Sequence, residues 1–137
     1  MGKHKGGNGG VVINIASIAA FEAYEHAPVY AATKHAVIGF TRGIALNYET
    51  TGIATKVMCP GATDTSFISK IRFSEWANQE EALSFIDKFP LQRPEIIGKE
   101  IMRLIEEATN GAIWSTSLET STISLNIPDF TTWGTPV

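Results

Sequence analysis

Nearly continuous apolar runs alternate with amphipathic stretches along this chain, and the alternation predicts strands and helices in turn. Residues 11–16 form one such run, which is typical of a parallel strand buried on both faces. Residues 53–58 form a second run, and Pro60-Gly61 then stops it and turns the chain. Residues 112–114 predict a short third strand.

Helices are predicted to connect these strands. Pro28 suits the first turn of a helix that runs from about residue 29 to residue 49, and Gly52 ends it. Pro94 opens another helix, whose apolar positions make one continuous stripe: Ile96, Ile97, Ile101, Leu104, Ile105 and Ala108. The order β-α-β-α-β predicts an α/β fold with a parallel, Rossmann-like sheet and right-handed crossovers.

The first predicted strand has no predicted neighbour on one side. Purely parallel sheets are found with both faces covered, and a strand without a neighbour exposes a row of unpaired backbone groups. We therefore expect the isolated chain to be marginally stable or prone to aggregate.

The composition argues against several classes of function. A chain of 137 residues with 44% hydrophobic content is one globular unit at most. A net charge of −3, with no Lys/Arg cluster among aromatics, argues against nucleic-acid binding. No apolar stretch approaches the roughly 20 residues needed to cross a membrane. The single cysteine, Cys59, suits a reducing compartment, so we expect a cytoplasmic protein, and the histidines lack metal-ligand spacing.

Ser17, Tyr30 and Lys34 have the chemistry and spacing of a proton-transfer site. Tyr30 and Lys34 lie about one turn apart on one face of the predicted helix. A nearby ammonium favours the phenolate, whose oxygen can accept a proton from an alcohol. Ser17 supplies a hydroxyl at the end of the first strand, where open α/β sheets bind ligands. Taken singly, Tyr30 is better explained as a surface aromatic, Lys34 as a solvated charge and Ser17 as a strand-end or turn residue.

Three segments together carry a family resemblance. They are Asn14-Ile15-Ala16-Ser17, Tyr30-Ala31-Ala32-Thr33-Lys34 and Pro60-Gly61-Ala62-Thr63-Asp64-Thr65. Tyr-x-x-x-Lys alone is weak, but the preceding serine and the Pro-Gly-x-x-x-Thr after the next strand make the combination specific. From about residue 9 to residue 116 the chain resembles the short-chain dehydrogenase/reductase family, and most of all its insect alcohol dehydrogenases and 15-hydroxyprostaglandin dehydrogenase-like members.

The resemblance implies an oxidoreductase that interconverts a secondary alcohol and a ketone by hydride transfer with NAD. It implies that Tyr30 is the catalytic acid/base, that Lys34 assists it and binds the nicotinamide ribose, and that Ser17 holds the substrate oxygen. Four residues after the second strand would complete the cofactor site: Pro60, Gly61, Thr63 and Thr65. A local turn at Thr63-Asp64 that needs no cofactor is the alternative there. The family also implies a homodimer through the 29–49 helix.

The chain departs from the family pattern at its beginning. The glycine-rich turn for the pyrophosphate and the Asn-Asn-Ala-Gly motif are absent, and the residues that select NAD or NADP would lie upstream. The early glycines precede a strand, whereas a dinucleotide fingerprint follows one. We expect the carboxyl-terminal half of such an enzyme, a single partial domain at 1–137 with its family core at 9–116, a substrate lid at 66–92 and a tail at 117–137.

The lid composition predicts the substrate class. Its apolar residues, with two more expected across the pocket, favour a lipophilic alcohol or ketone unless they only pack the lid: Phe67, Ile68, Ile71, Phe73 and Trp76, with Phe21 and Tyr24. The alternative to an enzyme is a catalytically inactive remnant that acts only as an interaction or dimerisation module.

Overall fold

A four-stranded sheet forms the centre of the structure, a computed structural model that describes residues 1–71, 73–118 and 121–128. The strands are β1 (Gly10–Ile15), β2 (Ile53–Pro60), β3 (Ile113–Ser117) and β4 (Ser121–Leu125), side by side in that order. β1 and β3 run parallel to β2, as predicted, and β4 runs antiparallel to β3. The α/β, Rossmann-like fold class is confirmed, although the sheet is mixed rather than purely parallel.

β4 lies in the segment expected to form only a tail. Its residues pair with β3 from Ile113 opposite Leu125 to Ser117 opposite Ser121. Three of its five residues are polar, in the sequence Ser-Thr-Ile-Ser-Leu. A short strand of this composition depends on the neighbouring strand more than on its own pattern, which is why the sequence did not predict it.

The first long helix, α1 (Pro28–Ala45), packs against β2 and has proline in its first turn, as predicted. It ends before residue 49, and a separate turn, α2 (Tyr48–Thr51), follows. The side-chain amide of Asn110 donates to the carbonyl oxygen of Ala45 at 2.8 Å. In a longer helix that oxygen would instead accept a backbone N–H from the next turn. Gly52 then ends α2 in the left-handed conformation, with φ 63°.

The expected lid follows β2 and contains a 3₁₀ turn at Ile68–Lys70 and the helix α3 (Gln79–Ile86). Asn78 caps α3, because its Oδ1 accepts the backbone N–H of Glu80 at 3.1 Å and that of Glu81 at 3.3 Å. Ala82 of α3 is fully buried, so the helix is anchored against the rest of the protein.

The helix α4 (Pro94–Glu107) packs against the sheet through the fully buried Leu104. The side chain of Lys56, on β2, reaches the carboxyl end of α4 from the protein interior. There its Nζ donates to the carbonyl oxygens of Leu104 at 2.9 Å and Ile105 at 2.8 Å. Burial lowers the pKa of Lys56, but the carboxyl end of a helix favours a cation. Neighbouring Thr55 bonds instead to Thr41 of α1, so α1 and α4 cover opposite faces of β2.

The core lies along β2, whose central residues Val57, Met58 and Cys59 have no exposed surface. At one side of the described sheet, β1 pairs with β2 only and forms an edge. Its Val11 and Ile15 are 40% and 44% exposed, so the prediction of a strand buried on both faces is wrong for β1, which lies at the edge of the described sheet. The expected edge strand is therefore present, and the marginal stability that follows from it stays a prediction.

Candidate active site

A cavity of about 600 Å³ opens at the carboxyl ends of β1 and β2. All seven residues singled out from the sequence line it: Ser17, Tyr30, Lys34, Pro60, Gly61, Thr63 and Thr65. Because β1 and β2 are adjacent and parallel, the loops that follow them leave the same edge of the sheet. The three motif segments thus contribute to one cleft, at the position where open α/β sheets bind ligands.

Tyr30 and Lys34 lie in the first turns of α1 with their side chains close together. The Nζ of Lys34 is 5.6 Å from the centre of the Tyr30 ring, within the range of a cation–π contact. The same Nζ donates to the carbonyl oxygen of Ile15 at 3.2 Å, which holds the ammonium at the end of β1. An ammonium has three N–H donors, so this bond is compatible with another to a ligand.

A buried polar bridge sets the position of α1 on the sheet. The hydroxyl of Thr41 donates to the carbonyl oxygen of Val37 at 2.8 Å and accepts from the side-chain amide of Asn14 at 2.9 Å. Asn14 lies on β1, shortly before Ser17. A hydrogen bond in the protein interior therefore joins α1, which contains Tyr30, to β1, which precedes Ser17.

Ser17 lies two residues after the end of β1 and caps the 3₁₀ turn Ile18–Ala20. Its Oγ accepts the backbone N–H of Ala19 at 3.2 Å. This contact is the turn role that the sequence left open. A hydroxyl that accepts one hydrogen bond still has its own hydrogen to donate, so the turn role is compatible with donation to a ligand oxygen.

The loop after β2 approaches the end of β3 so closely that glycine is required at position 61. A Cβ there would lie 2.9 Å from the Cβ of Ser117 and 3.2 Å from the carbonyl oxygen of Thr116. The backbone N–H of Gly61 donates to that carbonyl oxygen at 2.7 Å. Gly61 therefore provides a close backbone approach rather than an unusual φ angle.

The hydroxyls of Thr63 and Thr65 form local turn contacts. Thr63 Oγ1 donates to the carbonyl oxygen of Gly61 at 2.9 Å, and Thr65 Oγ1 accepts the backbone N–H of Phe67 at 3.3 Å. These are the contacts that the turn alternative predicts. Both threonines also line the cavity, so a turn and a ligand contact do not exclude each other.

Apolar side chains form most of the remaining wall: Ile18, Tyr24, Phe67, Ile68, Ile71, Phe89, Ile97 and Ile101. The ring of Phe67 lies 6.1 Å from that of Tyr30, centre to centre. Phe21, Phe73 and Trp76 were expected here as well, but they are not among the described residues that line this cavity. Ile97 and Ile101 belong to the apolar stripe of α4, and periodicity alone cannot separate a cavity wall from core packing.

Tyr24 places a second phenol in the wall of the cavity. Burial raises its pKa, and the nearby Glu22 and Tyr30 raise it further. The phenol of Tyr24 therefore stays neutral near pH 7, where it can take part in hydrogen bonds but not in proton abstraction.

Cys59 is close to the candidate site but fully buried. Burial raises the pKa of its thiol from 9.0 to about 12, although the backbone N–H of Ser17 and the charge of Lys34 act in the opposite direction. A neutral, buried thiol is a poor nucleophile, so a structural role is the simpler interpretation.

We expect Cys59 to resist alkylation by iodoacetamide at pH 8 in the folded protein and to react quickly in concentrated urea, as measured by mass spectrometry. The pKa of the folded state is the higher one, so the neutral thiol contributes stability below pH 9 that is lost as the pH rises from 9.0 toward about 12. Equal alkylation rates with and without urea would show that the thiol is accessible.

Metal-binding clusters and membrane-spanning helices are both absent from the part of the chain that the structure describes. There, no group of three or more His, Cys, Asp or Glu side chains is arranged to hold a metal ion. No helix within those same residues is both long and apolar enough to span a bilayer.

Comparison with known proteins identifies the family. A model of the family described as short chain dehydrogenase matches residues 1–76, more than half of the 137. The chain is 37% identical over 125 residues to alcohol dehydrogenase 1 of Ceratitis capitata, which covers 89% of this chain and 49% of that protein. It is 36% identical over 121 residues to 15-hydroxyprostaglandin dehydrogenase (NAD(+)) of Mus musculus, and this match covers 82% of this chain and 45% of that protein. The chain belongs to the short chain dehydrogenase family.

A solved structure agrees with this assignment. A mutant of 4-hydroxyisoleucine dehydrogenase complexed with NADH and succinate is similar to this chain with a TM-score of 0.62 at 25% identity. The match covers 78% of this chain and 45% of that one. The chain thus spans about half the length of the relatives it matches.

Proposed function

We propose that this chain carries the proton-transfer site of a dehydrogenase that interconverts a secondary alcohol and a ketone with a nicotinamide cofactor. The observation that carries the proposal is the shared cavity, which Ser17, Tyr30, Lys34 and the loop at 60–65 line together. Membership in a family of oxidoreductases supports the class of reaction.

Each of three side chains has a distinct part in the proposed reaction. In alcohol oxidation the phenolate oxygen of Tyr30 accepts the hydroxyl proton, and in ketone reduction the phenol returns it. Lys34, with its Nζ 5.6 Å from the ring centre, stabilises the phenolate charge. Ser17 donates a hydrogen bond to the substrate oxygen and stabilises the charge that develops there. The nicotinamide supplies the hydride chemistry when bound.

The cleft fits the nicotinamide half of a dinucleotide. It offers an ammonium for ribose hydroxyls, the loop at 60–65 along one wall, and threonine hydroxyls for an amide. We assign the cofactor contacts to Tyr30, Lys34, Pro60, Gly61, Thr63 and Thr65, all of which line the cavity. NAD is the proposed cofactor, because the name of the mouse relative specifies NAD(+) and one of the similar solved structures contains NADH.

The walls of the cavity support a lipophilic substrate. Isoleucine side chains from the lid and α4 face the same space as the rings of Tyr24 and Phe67. An apolar wall gains free energy by covering hydrocarbon, at roughly 25 cal/mol per Å² of apolar surface removed from water. We therefore assign the apolar wall to the hydrocarbon part of the alcohol or ketone.

The outer surface of α1 supports a homodimer formed through the 29–49 segment. Val29 and Phe40 lie on α1 and are 70% and 62% exposed. A dimer formed through this segment would cover these two apolar side chains and remove them from water.

Binding of NADH to this chain tests the proposal. Cofactor fluorescence should saturate with a dissociation constant of about 1 mM or lower, and Lys34→Met should weaken binding about 10-fold or more, because it removes a charged hydrogen-bond donor. Lys5→Met, which removes an exposed lysine outside the cavity lining, is the matched control and should bind as the unaltered chain does. Circular dichroism checks that both variants fold.

The inactive remnant remains the second candidate, and the exposed apolar side chains of α1 are the observation in its favour. It predicts no saturable NADH binding together with self-association that Phe40→Ser abolishes in sedimentation experiments. Saturable binding that depends on Lys34 would instead support the enzyme.

A further inference from the structure

Gln92 is a buried polar residue whose role is not explained by the proposed reaction. It lies two residues before α4 and is 1% exposed. Burying an amide is costly unless its hydrogen-bonding groups find partners. Its partners are therefore informative, and all of them lie in the loop after β2 or at the end of β3.

The backbone of Gln92 is bonded to the loop on both sides of Thr63. Its N–H donates to the carbonyl oxygen of Ala62 at 3.0 Å, and its carbonyl oxygen accepts the N–H of Asp64 at 2.9 Å. This pair of bonds makes an isolated parallel bridge between Gln92 and Thr63. The segment proposed to contact the nicotinamide is thus attached to the start of α4.

The side chain of Gln92 reaches beyond the bridge to β3. Nε2 donates to the carbonyl oxygen of Thr116 at 2.9 Å and lies 3.5 Å from the hydroxyl of Thr63. That carbonyl oxygen also accepts the N–H of Gly61 at 2.7 Å. The hydroxyl of Thr116 lies 3.4 Å from Oε1 of Gln92. The side chain of Gln92 therefore joins the loop to β3 at the same carbonyl oxygen that Gly61 contacts.

We propose that Gln92 is a positioning residue for the cofactor loop. It fixes the backbone of residues 61–64 in the conformation that receives the nicotinamide end of the cofactor, and it acts through this loop without touching substrate. The proposal rests on the proposed function, because it assumes that the loop binds this cofactor. A loop that is already ordered loses little conformational entropy when the cofactor binds, so the cofactor binds more tightly.

Gln92→Met tests the proposal with a side chain of similar length and no amide. We expect NADH binding about 10-fold weaker, the loss that corresponds to one net hydrogen bond. Amide exchange should accelerate about 10-fold at Asp64, while Val57 in the core keeps its rate. Gln79→Met is the matched control, because Gln79 is an exposed glutamine outside the cavity lining, and it should change neither quantity.

Gln92→Glu adds a pH signature that a general packing defect lacks. At pH 8 a glutamate carboxylate faces the carbonyl oxygen of Thr116 and repels it, so binding should be at least as weak as in Gln92→Met. Burial favours the neutral acid, whose O–H can donate to the same oxygen, so binding relative to the unaltered chain should recover several-fold at pH 5.5. Asp64 and Arg93 are the ionisable residues next to Gln92 in this segment, and both proteins contain them.

The outcomes separate the two proposals. If the unaltered chain does not bind NADH, the proposed function fails for this chain, and the exchange rates still test whether Gln92 orders the loop. Acceleration at Asp64 in Gln92→Met, with Val57 unchanged, supports the positioning role. Exchange rates that are unchanged, or equally raised at Asp64 and Val57, overturn it. NADH binding that is the same in all variants also overturns it.

Discussion

Replacing Tyr30 with phenylalanine is expected to lower the rate of NAD-dependent alcohol oxidation by about 10²–10⁴-fold, the contribution typical of a general acid or base. The substitution removes only the phenolic oxygen and keeps the ring that contacts Phe67 at 6.1 Å between centres. NADH binding should therefore change much less than turnover. The rate is measured as NADH absorbance with a series of secondary alcohols.

Tyr48→Phe is the matched control for this substitution. Tyr48 lies on α2 and is outside the residues that line the cavity, so its loss should leave the rate unchanged. If Tyr30→Phe retained the full rate with every alcohol that the unaltered chain oxidises, the acid/base assignment would be wrong.

The second large effect is expected for Leu104→Ala. Leu104 has no exposed surface and joins α4 to the sheet. Truncation of a buried leucine costs about 2–5 kcal/mol through lost burial and the cavity left behind. Domains have a free energy of unfolding of about 5–15 kcal/mol, and the exposed edge of β1 is expected to place this chain below that range. Urea unfolding followed by circular dichroism should show a large drop in midpoint.

Met102→Ala is the control on the same helix. Met102 is 55% exposed, and surface substitutions usually change stability by less than about 0.5 kcal/mol. Equal unfolding midpoints for the two variants would show that α4 does not pack on the sheet as described.

Three of the four described strands, and the grouping of Ser17, Tyr30 and Lys34, were predictable because their signals are local. The apolar run before Ser17 predicts the strand β1, although not its exposure, and Pro28 marks the start of α1. Tyr30 and Lys34 share a helix face by their spacing alone. Since parallel strands end at one edge of the sheet, the loop at 60–65 could be expected beside them. These expectations need only chain order, periodicity and the handedness of crossovers.

The features that the sequence did not predict depend on contacts between distant residues. Asn110 ends α1 by bonding to Ala45 at 2.8 Å, and a helix pattern contains no sign of this partner. Lys56 is buried beneath α4, although a lysine within a strand ordinarily suggests solvent. Gln92 likewise has its partners in the loop after β2 and on β3. Such side chains are identified only when the fold brings their partners together.

The most direct test of the central claim is a titration with NADH followed by NMR of ¹³C-labelled tyrosine side chains. The chain has three tyrosines, so each signal can be assigned by substitution. If the nicotinamide binds beside the proton-transfer group, the signal of Tyr30 shifts with saturation and that of Tyr48 does not. A Tyr30 signal that stays constant while NADH saturates the protein would contradict the account.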